Sequence, residues 1–212
     1  HTAILTKDGK VLTFGSNTES SFNNNISGQL GHTIGGTNNQ VPMEISGNDT
    51  DISGIIAVSC GGAHTAILKN DGTVFTFGRN YFGQLGRDVI DGNNNIPMEI
   101  SGNHRDIIAV SCGGFHTAIL KNNGTILTFG QSFNGQLGRE LIDDNYGIPI
   151  EISGDHTDII AVSCGGDHTA ILKNDGKVFT FGDNEYGRTG QNTDQGNTTT
   201  PKEISTSDDY TS

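Results

Sequence analysis

Short apolar runs broken by glycine or proline recur along the whole chain, and none continues through the two turns a helix needs. IIAVSCG at 107–113 is apolar and bounded by glycine, the pattern of a strand buried on both faces. HTAILKN follows, then Asn123-Gly124, then TILTFG. Elsewhere the same turn reads Asp8-Gly9, Asp71-Gly72 or Asp175-Gly176. Asp-Gly and Asn-Gly favour two-residue hairpins because both central positions take positive φ, so the flanking segments are predicted to pair antiparallel. A glycine-rich turn, such as NGQLG at 134–138, and a variable loop lead to PMEIS, PMEIS, PIEIS or PKEIS. Proline cannot donate to an inner ladder, which sends this last segment to a sheet edge.

That order of elements is a tandem repeat. AVSCGGAHTAILKNDGTVFTFG begins at Ala57, AVSCGGFHTAILKNNGTILTFG at Ala109 and AVSCGGDHTAILKNDGKVFTFG at Ala161, while HTAILTKDGKVLTFG opens the chain. His64, His116 and His168 stand 52 residues apart. His1 to His64 is longer by 11, through insertions of 8 near 16–27 and 3 near 49–54. The units fall at about 1–54, 55–106, 107–158 and 159–212, the first without its initial strand. A lone sheet of this type leaves two apolar faces wet. Stacking the sheets face to face removes those faces from water, and sheet twist turns the stack into a ring. The expected fold is therefore all-β: propeller blades of four antiparallel strands, about four repeats.

Repetition also bears on the chemistry. Cys112 and His116, two glycines and a phenylalanine apart, have the residue types of a ligand pair or of a nucleophile with its base. A catalytic centre is built once, however, and Cys60, Cys112 and Cys164 come one per unit, as do His1, His64, His116 and His168. A C-x3-H pair with no second cluster is a poor zinc signature, and nothing adjacent depresses the thiol pKa. The structural reading is a small buried thiol and an imidazole bonded to nearby backbone. No catalytic residue, metal ligand or cofactor site is expected.

Composition narrows the partners. The 212 residues include 31 glycines and 32% hydrophobic residues, which suits many short strands. A net charge of -12 repels phosphate backbones and anionic membranes, so a protein partner with a basic face is the better match, with no direct nucleic acid and no membrane. Three cysteines make no disulfide framework and fit a reducing, intracellular compartment, cytoplasmic or nuclear.

The run V-S-C-G-G-x-H-T-A-I-L-K-N-D-G-x-V-F-T-F-G-x-N-x-x-G-Q-L-G at 58–86 resembles the repeat of the regulator of chromosome condensation family. One departure is Phe14, Phe77, Phe129 and Phe181 where the family often has Trp. The resemblance implies a seven-bladed type of ring, of which this chain supplies part. It also implies a function of either of two kinds. One is a non-enzymatic protein–protein interaction scaffold that binds through loops on a propeller face. The other is guanine nucleotide exchange on a small GTPase, with the insertion at 16–27 as the candidate wedge. Partner choice is expected where the copies disagree: Arg79, Tyr81, Phe82, Phe133, Glu185 and Tyr186 after each FG, and Phe115 and Asp167 before each histidine. Aromatic and Arg side chains on a rim are typical of binding hot spots; the alternative is that these rings pack onto their own loops.

Overall fold

The computed structural model describes residues 1–20, 23–32, 38–46, 51–88, 94–140, 147–193 and 196–204. Four main antiparallel sheets follow one another along the chain. The first contains β1 (Thr2–Leu5), β2 (Val11–Ser16) and β5 (Asn38–Glu44), and a separate hairpin, β3 (Thr18–Ser20) with β4 (Asn23–Ile26), interrupts it. The second runs β6 (Ile55–Cys60), β7 (His64–Lys69), β8 (Val74–Gly78) and β9 (Met98–Glu99). The third repeats this as β10 (Ile107–Cys112), β11 (His116–Lys121), β12 (Ile126–Gly130) and β13 (Ile150–Glu151). The fourth is β14 (Ile159–Cys164), β15 (His168–Lys173), β16 (Val178–Gly182) and β17 (Thr198–Glu203). These are propeller blades, and no α-helix occurs among the described residues.

The strand period of two explains why HTAIL is apolar on both faces. Ile67 points into a core shared with the first blade, among Val11, Ile45, Ile55 and Phe77. Its neighbour Leu68 points the other way, into a core with Ile100, Ile107, Ile119 and Phe129. Ile119 and Leu120 divide in the same manner, Leu120 packing with Ile126, Ile152, Ile171 and Phe181. Every core thus lies between two blades, and each fully buried side chain of this size stabilises the stack by about 1.5–3 kcal/mol. The last glycine of each GQLG turn seats the phenylalanine of the next blade. A Cβ on Gly86 would stand 2.8 Å from the Phe129 ring, and one on Gly138 2.7 Å from Phe181.

The first strand of each unit is less enclosed than its apolar sequence suggests. Ile56, Ile108 and Ile160 are 54%, 52% and 55% exposed. These strands lie beside one another, β6 by β10 and β10 by β14, along the axis where blades converge, so each has an open edge. A register shift between Ile55 and Ala57, repeated between Ile107 and Ala109 and between Ile159 and Ala161, turns the intervening isoleucine out of the core.

Candidate functional site

Two groups of residues compete for a functional reading, and they occupy adjacent places. The first is the Cys–Gly–Gly–x–His–Thr segment. His64 Nε2 meets Thr117 Oγ1 of the next blade at 2.9 Å, and His116 Nε2 meets Thr169 Oγ1 at 2.9 Å. Each threonine hydroxyl donates onward to a GQLG carbonyl, Thr117 to Gln84 O and Thr169 to Gln136 O. The hydroxyl proton being committed there, the threonine oxygen accepts from the ring, which fixes the Nε2–H tautomer. Nδ1 of His64 and of His116 has no hydrogen-bond partner among the described residues. Burial, with a smaller contribution from the following histidine, pushes both rings down to about 3. The imidazole partner is therefore a side chain of the neighbouring blade, not the nearby backbone expected from sequence.

The rest of the segment completes the same joint. Cys112 N donates to Ser59 Oγ and Cys164 N to Ser111 Oγ, both at 2.9 Å across blades. Gly114 N donates to Gly166 O at 2.8 Å. A Cβ on Gly113 would lie 2.2 Å from His116 Cε1, so the ring needs a glycine beside it. Burial raises the Cys112 thiol to about 12 and Cys164 to about 11, which keeps both protonated and poor nucleophiles at neutral pH.

The second group lies at the blade ends opposite the Asp-Gly turns. The turn before each histidine and the loop after each FG are held side by side there: Arg79 N donates to Ala63 O, Gln131 N to Phe115 O and Asp183 N to Asp167 O, each at 2.8 Å. All eight candidate residues therefore share one rim. Asn80 stiffens its loop, accepting from Leu85 N and donating to Arg87 O and Asp88 O. Asn184 does the same toward Thr189, Gln191 and Asn192, and Asn17 accepts from Leu30 N. These asparagines were not singled out from sequence. Their recurrence as FG-x-Asn in three copies, with Ser132 in the other, was the available signal.

On this frame, five of the candidates meet across the second and third blades. Phe82 sits at the centre, its ring edge-on to Tyr81 (5.0 Å), Phe115 (5.6 Å) and Phe133 (5.5 Å). The Arg79 guanidinium lies 5.6 Å from Tyr81, 5.9 Å from Phe82 and 5.4 Å from Phe115, measured to ring centres. The rings do pack on one another. Even so, Tyr81 is 69% and Phe133 73% exposed.

The fourth blade carries the opposite character at matching positions. Asp183 replaces Arg79, and Asp167 replaces Phe115. Arg188 pairs with Asp183 and, at 3.5 Å, with Glu185, and lies 5.4 Å from the Tyr186 ring. Tyr186 holds φ at 62°, rare for a bulky residue, and is 83% exposed. Gln136 Nε2 links the two halves, 3.1 Å from Gln131 Oε1 and 3.5 Å from Asp167 Oδ1. Glu185 and Tyr186 stay apart from the aromatic group, bound into this acidic end.

The insertion at 16–27 forms the β3–β4 hairpin, with Thr18 opposite Ile26 and Ser20 opposite Asn23. Ser27 N to Asn17 O (2.9 Å) and Gln29 Nε2 to Thr18 O (3.2 Å) close its base on the same rim. Residues 21–22 of this insertion, 49–50 of the second, and 33–37, 89–93, 141–146 and 194–195 of the loops before the prolines lie outside the described residues.

The model of the regulator of chromosome condensation (RCC1) repeat matches residues 8–68, 71–120, 123–172 and 175–211. The Danio rerio "Protein RCC2 homolog" is 34% identical over 148 residues, covering 69% of this chain and 30% of that protein. The Homo sapiens "Probable E3 ubiquitin-protein ligase HERC6" is 37% identical over 142 residues, covering 64% and 14%. In the crystal structure of Kap60 bound to yeast RCC1 (Prp20), a chain superposes with a TM-score of 0.79 at 20% identity, over 96% of this chain and 46% of that one. This chain spans less than half the length of each.

Proposed function

We propose that this chain, which belongs to the regulator of chromosome condensation repeat family, is a non-enzymatic scaffold that binds a protein partner through the rim carrying Arg79, Tyr81, Phe82, Phe115 and Phe133. The carrying observation is the exposure of Tyr81 and Phe133 on a preformed aromatic platform, the residue types that dominate hot spots. Asp167, Glu185 and Tyr186 extend the surface onto the fourth blade. The related yeast propeller solved in complex with Kap60 supports a protein as the kind of partner. The acidic charge supports a basic partner face over nucleic acid or an anionic membrane, and the three unpaired cysteines support an intracellular setting, cytoplasmic or nuclear. The experiment is an alanine scan of Tyr81, Phe82, Phe115, Phe133 and Tyr186 scored by partner capture, with Lys177→Ala at the opposite blade ends as control. Undiminished capture across the scan overturns the reading.

The β3–β4 hairpin favours a second reading, guanine nucleotide exchange on a small GTPase with the hairpin as the wedge. Release of fluorescent nucleotide from a panel of small GTPases, lost when 18–26 is replaced by the short loop of the second blade, tests it. No release from any member rules it out.

A further inference from the structure

The rim has two ends of different chemistry, and together they specify more than a generic partner. At the second and third blades the surface is aromatic, and its ring faces already carry the protein's own guanidinium: Arg79 lies over Tyr81, Phe82 and Phe115. An incoming cation finds those ring faces already occupied. Phe133, on the side of the cluster toward the fourth blade, touches Phe82 alone among the described aromatic pairs and keeps most of its surface in water. Beside it the character inverts. Gln136 bonds at once to the Phe133-bearing loop, through Asn134 N and Gln131 Oε1, and to Asp167 Oδ1. Asp167 makes no ion pair among the described residues, whereas Asp183 and Glu185 are both engaged by Arg188. An apolar platform and an unneutralised carboxylate therefore stand on the two sides of one glutamine, on a chain of net charge -12.

Resting on the scaffold reading, we infer that this rim binds an extended basic peptide segment, whose apolar side chain lies on Phe133 and whose lysine or arginine, a few residues away, pairs with Asp167. Charge complementarity supplies the orientation and the encounter rate, and the aromatic contact the residence time. Affinity accordingly weakens as salt is raised.

The test uses the chain as it is and fluorescently labelled synthetic peptides, read by anisotropy. One set pairs an aromatic residue with Lys or Arg, one pairs it with Asp or Glu, and one keeps the basic residues without the aromatic. The aromatic–basic set should bind best, and Phe133→Ala and Asp167→Asn should each weaken it by about tenfold. Asp167→Lys should transfer the preference to the aromatic–acidic set, and Lys177→Ala should change nothing. Equal binding of basic and acidic peptides, or a preference that survives Asp167→Lys, overturns the inference, as does stronger binding to a labelled DNA duplex. If a folded partner is captured through Phe133 while no peptide binds, the peptide inference fails and the scaffold reading stands. If neither binds, both fail. Circular dichroism of each variant confirms that the fold is retained.

Discussion

Phe115 and His116 are consecutive residues, yet they belong to different parts of the protein's work. His116 turns into the joint with the fourth blade, is fully enclosed, and donates its Nε2–H in a hydrogen bond to Thr169 Oγ1. Phe115 turns to the rim, where its counterparts are Ala63 and Asp167. One tight turn thus delivers a repeated side chain to the interior and a varied one to the rim, half-buried as Phe115 and Asp167 and buried as Ala63. Variation is tolerated where a residue has only water and neighbouring loops to satisfy. It is excluded where a ring fits between a glycine and a hydroxyl of the next blade.

That contrast can be broken most severely at the joint. Gly113→Ala places a methyl group 2.2 Å from His116 Cε1 and 2.6 Å from Gly165 O. It should cost roughly 3 kcal/mol or more, read as a lower urea midpoint, because backbone lies on the far side and cannot yield. Acid should act on the same place, by less over the first pH unit below 6.5 and by more across the whole window. His64 and His116 titrate near 3 in the folded protein against an ordinary 6.5, so as pH falls below 6.5 the unfolded chain takes up protons that the folded chain refuses. Stability should drop by about 1.4 kcal/mol per pH unit for each ring between 6.5 and 3, flattening once the folded rings protonate. Replacing both histidines by glutamine should remove that slope in urea titrations across the window. Smaller again is Thr117→Val, which keeps the shape but leaves His64 Nε2–H and Gln84 O without their partner, at about 2 kcal/mol. Phe133→Ala should sit at the other extreme. It should change stability in urea by about 0.5 kcal/mol or less while weakening partner binding by about tenfold.

Sequence reading was strong where local rules apply and weak where the chain meets itself at a distance. Asp71-Gly72 and Asn123-Gly124 announce their hairpins because two positive-φ positions leave few other choices. The prolines mark outer strands because a missing N–H is visible in one residue. The partner of His64 was not readable. Thr117 stands 53 positions away, and a repeat offers several equivalent threonines, with only the blade-to-blade stagger choosing among them. The rim candidates were found by their disagreement, but their grouping was not. Phe82 and Phe115 come from different copies, and their meeting depends on the loop after one FG lying beside the turn of the following blade. The exposed isoleucines escaped notice because a bulge is a defect of register, with no residue type that announces it.

The sharing of cores between blades has a dynamic corollary. Among the described residues no blade owns an interior: the second and third take part in two apolar clusters each, the first and fourth in one. Cooperativity in such a stack passes only between nearest neighbours. Amide hydrogens of β7, β8, β11 and β12 should therefore exchange slowest, those of β1 and β15 sooner. In the 212-residue chain measured by itself, loosening should advance inward from either flank one blade at a time, so that the middle of the array outlasts its margins.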